Sequence, residues 1–208
     1  MTRTVDSPVS PADRIGARVV ATGAALIAAV SVFAVIRGAL DVFGAVVTVR
    51  MPVHAAAAPT LSGIDGIRSA EYIQADVAFA TLPAAARWML LLEGALPALA
   101  IIGVCAVAWW LGVSLVRARP FRRTMSTTIG LAACLVAAGG MFGQLCGGIG
   151  RGMIVDHLAG TDPGVYDVFP AFAIDLSLAP LGWAFALALV ATAFEVGHRL
   201  QRDTEGLV

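Results

Sequence analysis

The chain contains no lysine: all 14 of its basic residues are arginine, they are matched by 14 acids, and the formal net charge is zero. The missing basic excess excludes the global positive field on which direct nucleic-acid binding relies. Charge of either sign is scarce, at 13% of residues against about a quarter in an ordinary soluble domain. A water-facing surface needs that charge, so a freely soluble globular domain is excluded as a reading. The choice of Arg over Lys, beside abundant Ala, Gly and Val, reads as the imprint of a GC-rich bacterial genome. Cysteine is limited to Cys105, Cys134 and Cys146, all within apolar runs, and these read as small buried hydrophobes rather than a metal or redox set.

Catalytic motifs are absent as well. There is no GxSxG, no HExxH, no P-loop and no GxGxxG opening a helix after a strand. His54 and His157, with Asp156 and Asp162 nearby, have no ligand spacing that a metal would impose. His198 beside Arg199 and Arg202 reads as part of a solvated tail. No enzyme, cofactor or metal is expected.

What the sequence has in quantity is apolar length. Residues 19–36, 94–116, 124–150 and 176–194 carry no charge at all. Crossing a hydrocarbon core of about 30 Å takes about 20 helical residues, and only a helix satisfies its backbone there without water. The first run is longer than the ~7–15 apolar residues of a signal peptide, and the small-residue stretch at 54–59 lies too far downstream for cleavage. It is expected to stay as an uncleaved anchor. The layout is a membrane α-helical fold: a tail at 1–16, spans at 17–44, 87–116, 124–150 and 176–197, outer segments at 45–86 and 151–175, an inner loop at 117–123 and a tail at 198–208.

Arginine placement sets the orientation, because basic residues are retained on the cytoplasmic side. The loop at 117–123 holds Arg117, Arg119, Arg122 and Arg123 with no acid. Placing it in the cytoplasm puts both termini there, in a bacterial cytoplasmic membrane. Nine Arg then face five acids inside, and five Arg face nine acids outside.

The outer segments carry a different period. Residues 47–54 alternate apolar and polar, and in 73–79 Ile73, Ala75, Val77 and Phe79 share one side. A period of two with β-branched residues predicts half-buried strands, joined by a loop at 55–69 containing Pro59, Gly63 and Gly66. Two strands alone are marginal in water, and 171–176 offers a third. A four-helix bundle with a small extracytoplasmic β cap is the expected architecture. Thr81-Leu82-Pro83 predicts a helix start.

Within the spans, Gly139, Gly143 and Gly147 recur every four residues, flanked by the row Gly140, Gln144 and Gly148. Small residues at this spacing let helix backbones approach closely. Ala21, Ala25 and Ala29 of the first span offer a mate, within one bundle or across a homo-oligomer seam. Gln144 needs a partner at this depth. Ionisable groups lie near the span ends: Arg37 and Asp41 share a helical face and can pair, Glu93 precedes Pro97 by one turn, and Glu195 closes the fourth span.

Two stretches resemble a known family. They are Arg119-Pro120-Phe121 leading into a span, and the ending that runs from Leu178-Ala179-Pro180-Leu181 to Asp203-Thr204-Glu205-Gly206-Leu207-Val208. Both look like the bacterial membrane family catalogued as domain of unknown function twenty-nine seventy-five, over roughly residues 17–208. The resemblance implies four spans, an extended outer loop and a charged cytoplasmic tail. It brings no catalytic residues, and it implies a genomic setting beside small helix-turn-helix regulators. The expected function is a sensory or regulatory membrane partner of such a regulator, which would dock on Arg117, Arg119, Arg122, Arg123, Arg199 and Arg202. The alternative is a small transporter or an accessory subunit of a transport complex, with Glu93 as its proton or cation site.

Overall fold

A computed structural model describes residues 11–57, 71–116 and 123–205. In chain order they form α1 (Pro11–Val42), β1 (Val47–Ala57), β2 (Glu71–Phe79), α2 (Ala84–Val116), α3 (Arg123–Ala159), the single turn α4 (Val165–Val168) and α5 (Ala179–Glu205). Four helices contain stretches long and apolar enough to cross a membrane: Arg18–Val42, Ala84–Val113, Ser126–Ala159 and Ala179–Gly197. Large apolar side chains lie exposed along them, among them Leu26, Phe33 and Leu40 on α1 and Trp183, Phe185 and Leu189 on α5. Such helix surfaces suit hydrocarbon rather than water.

Helix ends follow local chemistry. The carbonyl of Pro83 accepts the N–H of Arg87 at 3.2 Å, so the proline stands at the cap of α2, where its own missing N–H costs nothing. In α5 the carbonyl of Leu178 accepts from Gly182 at 3.1 Å, and Pro180 falls in the same tolerant first turn. Inside α2, Pro97 has no N–H to give the carbonyl of Glu93. α3 continues nine residues beyond the expected end at Gly150. Arg151 ends the charge-free run but is a good helix former, and its charge is met by a partner described below.

The chain divides into two compact units. One takes in Met1–Ala34, Pro97–Met141 and Leu178–Val208, the other Val35–Leu96 and Phe142–Ser177. The described interior of the first is built from small side chains: Ala24, Ala98, Ala100, Cys105, Ala132, Ala133 and Ala184 are buried, with Ile129 the largest. Ser31 is buried too and donates to the carbonyl of Ile27 at 2.9 Å. Gly140 leaves room that Pro180 fills.

The second unit has a larger apolar core. β1 and β2 form a two-stranded antiparallel sheet pairing Val47 with Phe79, Val49 with Val77 and Met51 with Ala75. Val47, Val49 and Met51 are 2%, 6% and 1% exposed, while the alternating Thr48 and Arg50 face out. With Phe79 they pack on Ala86 of α2 and on Ile154 and Val155 of α3. Fully burying a side chain of this size contributes roughly 1.5–3 kcal/mol. A hairpin marginal alone is therefore held by the helix ends beneath it. Beyond Pro52 the register is irregular: Pro52 faces Gln74, and the next pair is Ala56 with Tyr72. The strands outrun the expected 47–54 and 73–79, while 58–70 of the connecting loop lies outside the described residues.

The third strand expected at 171–176 is not formed. Among the described residues the sheet has two strands, and 173–178 carries no regular secondary structure. Its alternation of apolar and small residues is real, but a side chain of α3 and the surface of that helix take up what a neighbouring strand would have supplied.

Candidate functional site

A polar group that joins three elements of the second unit is Arg151, on the part of α3 past the charge-free run. Its Nη2 donates to Glu93 Oε1 at 2.6 Å, and its Nε donates to the backbone carbonyl of Arg50 at 3.0 Å. One guanidinium thus ties α2 and β1 to α3. The planar fork of arginine suits this role, because it presents several donors in fixed directions. The two side chains are only 19% and 32% exposed, so the pair is shielded from screening more than a surface pair would be. Gly147, one turn before Arg151, makes the arrangement possible: a Cβ there would overlap the carboxyl of Glu93.

Other contacts secure the same region. Phe43 meets Trp88 edge to face, with ring centroids 5.0 Å apart, and Arg87 Nη1 donates to the carbonyl of Gly44 at 3.4 Å. Across the hairpin, Arg50 Nε donates to Asp76 Oδ1 at 3.1 Å. That bond and the negative charge raise the pKa of Arg50 above its ordinary value. After α3, Asp162 Oδ1 accepts from the N–H of Gly164 at 2.9 Å, a side-chain turn that starts α4. Tyr166 donates its hydroxyl to Asp156 at 3.1 Å. The neutral phenol is the donor, so the bond raises the pKa of Tyr166.

Of the row expected to pack against another helix, Gly140 receives Pro180 of α5, while Gln144 and Gly148 receive the irregular segment before that helix. Gln144 Nε2 donates to the carbonyl of Ser177 at 3.1 Å, and the N–H of Ser177 donates back to Gln144 Oε1 at 2.5 Å. One turn along α3, Gly148 leaves room for Ile174; a further turn along, Gly152 lies against the carbonyl of Ala171. Gln74 of β2 donates to Asp175 at 3.3 Å, joining the segment to the hairpin.

The remaining expected site residues fall as follows. Gly143 and Gly147 are buried and Gly139 is half-buried. Ala25 and Ala29 are exposed and Ala21 is half-buried, so the expected alanine row does not turn inward; Ala24 and Ser31 do. A run of nearly uniform small apolar residues carries no phase from which to choose the inward face. Arg37 and Asp41 are both exposed and form no ion pair with each other, since each can face solvent on its own. Glu195 pairs with Arg199 at 3.1 Å on an exposed face of α5. Arg117, Arg119 and Arg122 lie outside the described residues, while Arg123 opens α3 and Arg202 stands in α5. Cys105 is buried as expected, but Cys146 is half-buried and Cys134 exposed. His54 and His157 are exposed, and among the described residues no three His, Cys, Asp or Glu converge as a metal would require.

Arg151 and Ser177 were not singled out from the sequence, though a signal existed for the first. Glu93 immediately precedes one charge-free run, and Arg151 immediately follows another. In antiparallel neighbouring helices those positions lie at one level, where opposite charges attract. The chain matches no family model, no curated protein and no solved structure.

Proposed function

We propose that this chain is a multi-pass protein of the bacterial cytoplasmic membrane, with both termini inside, that serves as a sensory or regulatory partner of a small cytoplasmic helix-turn-helix regulator. The observation that carries the reading is the docking of the hairpin on the ends of α2 and α3. Its buried face rests on Ala86, Ile154 and Val155, and Arg151 binds both its backbone and Glu93. A signal that displaces the hairpin from outside pulls directly on two helices.

The length of α3 supports an outer position for this cap. Its 37 residues extend about 55 Å at ~1.5 Å per residue, well past a hydrocarbon core of about 30 Å. The excess of Arg on the termini and the 117–123 loop supports the orientation. The resemblance of Arg119-Pro120-Phe121 and of the ending at Leu207-Val208 to the bacterial family supports kinship with it, and through that a helix-turn-helix partner. A transport reading is less favoured, because Glu93 is engaged by Arg151 and Gln144 by Ser177. Both polar groups that it would use are already committed.

The test is crosslinking of the full chain in intact cells, followed by identification of what attaches to the cytoplasmic face. A small helix-turn-helix protein is expected, lost when residues 201–208 are deleted or Arg117, Arg119, Arg122 and Arg123 are neutralised. If a captured partner's output is unchanged in both variants, the docking reading fails. A single cysteine at Pro120 that reacts with an impermeant thiol label from outside would overturn the orientation.

A further inference from the structure

The segment 171–178 divides its side chains among three environments. Ile174 rests on Gly148 of α3, Asp175 accepts from Gln74 of the hairpin, and Ser177 is held at both its N–H and its carbonyl by Gln144. Phe172 lies beside Gly152 of α3 yet remains 59% exposed, and Leu176 is 56% exposed. Large apolar side chains alternating with fastened ones in an irregular segment are anomalous beside water. They lead directly into α5, whose first turns expose Leu181, Trp183 and Phe185.

We propose that 171–178 is not an aqueous loop but lies in the outer lipid boundary, with Phe172 and Leu176 inserted among lipid chains. This deepens the membrane reading above and rests on it. The backbone chemistry beside α5 agrees. Non-helical backbone tolerates membrane depth only where protein or water satisfies it. Ser177, two residues from the start of α5, receives both hydrogen-bond partners from one glutamine side chain. Gln144 gains in the same way, because a polar side chain in an apolar span needs a partner. Asp175, which could not enter lipid cheaply, turns to the hairpin.

The experiment uses the full chain with its three cysteines replaced by alanine, reconstituted in phosphatidylcholine vesicles. Single nitroxide labels are placed through Phe172→Cys, Leu176→Cys, Asp76→Cys and Leu189→Cys. Collision with oxygen, which concentrates in lipid, is compared with collision with a water-soluble nickel chelate. Labels at 172 and 176 are expected to favour oxygen, as does 189 on the exposed side of α5, while 76 on the outward face of β2 favours nickel. If 189 favours oxygen but 172 and 176 match 76, the boundary placement is overturned and the membrane reading stands. If 189 itself favours nickel, the membrane reading falls and this inference with it.

Discussion

Replacing Arg151 with alanine removes one side chain and disturbs three elements. Glu93 is left half-buried with no counter-charge, and the carbonyl of Arg50 loses its donor. Breaking a fully buried pair by deleting one partner costs about 3–5 kcal/mol, whereas an exposed pair contributes about 0–1 kcal/mol. With side chains 19% and 32% exposed, this pair lies between the limits, and a loss of about 2 kcal/mol is expected. For a chain of this size that lowers the unfolding midpoint by roughly 4–8 °C. Cys105, buried in the native protein, supplies the assay once Cys134 and Cys146 are replaced by alanine: in detergent micelles a fluorogenic maleimide reports its exposure on heating. Arg199→Ala breaks the exposed pair with Glu195 and should move the midpoint by less than about 2 °C. Glu93→Ala combined with Arg151→Ala leaves no orphaned charge, so the double variant should be more stable than the two single losses summed, by about 1–2 kcal/mol. Additive losses, or an Arg151→Ala midpoint no lower than that of Arg199→Ala, would refute the assignment of Arg151 as the tie between hairpin and helices.

Three further outcomes are expected. Met51→Ala should lower stability by about 2–5 kcal/mol, because Met51 is fully buried in the core beneath the hairpin; a loss below ~1 kcal/mol in the same thiol assay would mean the core collapses around the gap. Gly147→Ala should destabilise by displacing the Glu93 carboxyl, whereas Gly94→Ala, with nothing near its added methyl, should be neutral or slightly stabilising; equal midpoints would contradict the packing. In a Tyr72→Phe background Tyr166 is the sole tyrosine, and its absorbance titration should centre above the ordinary value and fall toward it in Asp156→Ala. Because the folded pKa is raised, the stabilisation is fully present below the unfolded tyrosine pKa of about 10 and is lost as pH rises through the folded value. An unmoved midpoint in Asp156→Ala would remove the hydrogen bond as its cause.

The helices were legible because lipid imposes a coarse rule: length without charge. The hairpin was legible for a similar reason, since Val47, Val49 and Met51 must alternate with polar neighbours to bury one face. At 171–176 the same period misled, because alternation reports two different sides without saying what lies on either. Gly140, Gln144 and Gly148 were recognised as a close-packing row, and Gly140 does meet a helix at Pro180 of α5, but a row of small residues accepts an irregular chain as readily, as Gly148 does Ile174. The pairing of Glu93 with Arg151 spans 58 positions and becomes visible only when charges are compared by depth rather than by neighbourhood. Where small apolar residues are uniform, as at Ala21, Ala24, Ala25 and Ala29, no phase is written in the sequence at all.

The disturbed register of β1 discourages a further strand from pairing there. A hairpin with no flanking strand among the described residues leaves edge groups that an added strand can pair with, and Arg151 already occupies one of them, the carbonyl of Arg50. Pro52 offers no N–H to a newcomer, and the unmatched residues between Pro52 and Ala56 spoil the regular spacing that an added strand would have to follow. The far half of that border is thereby a poor template for a further strand.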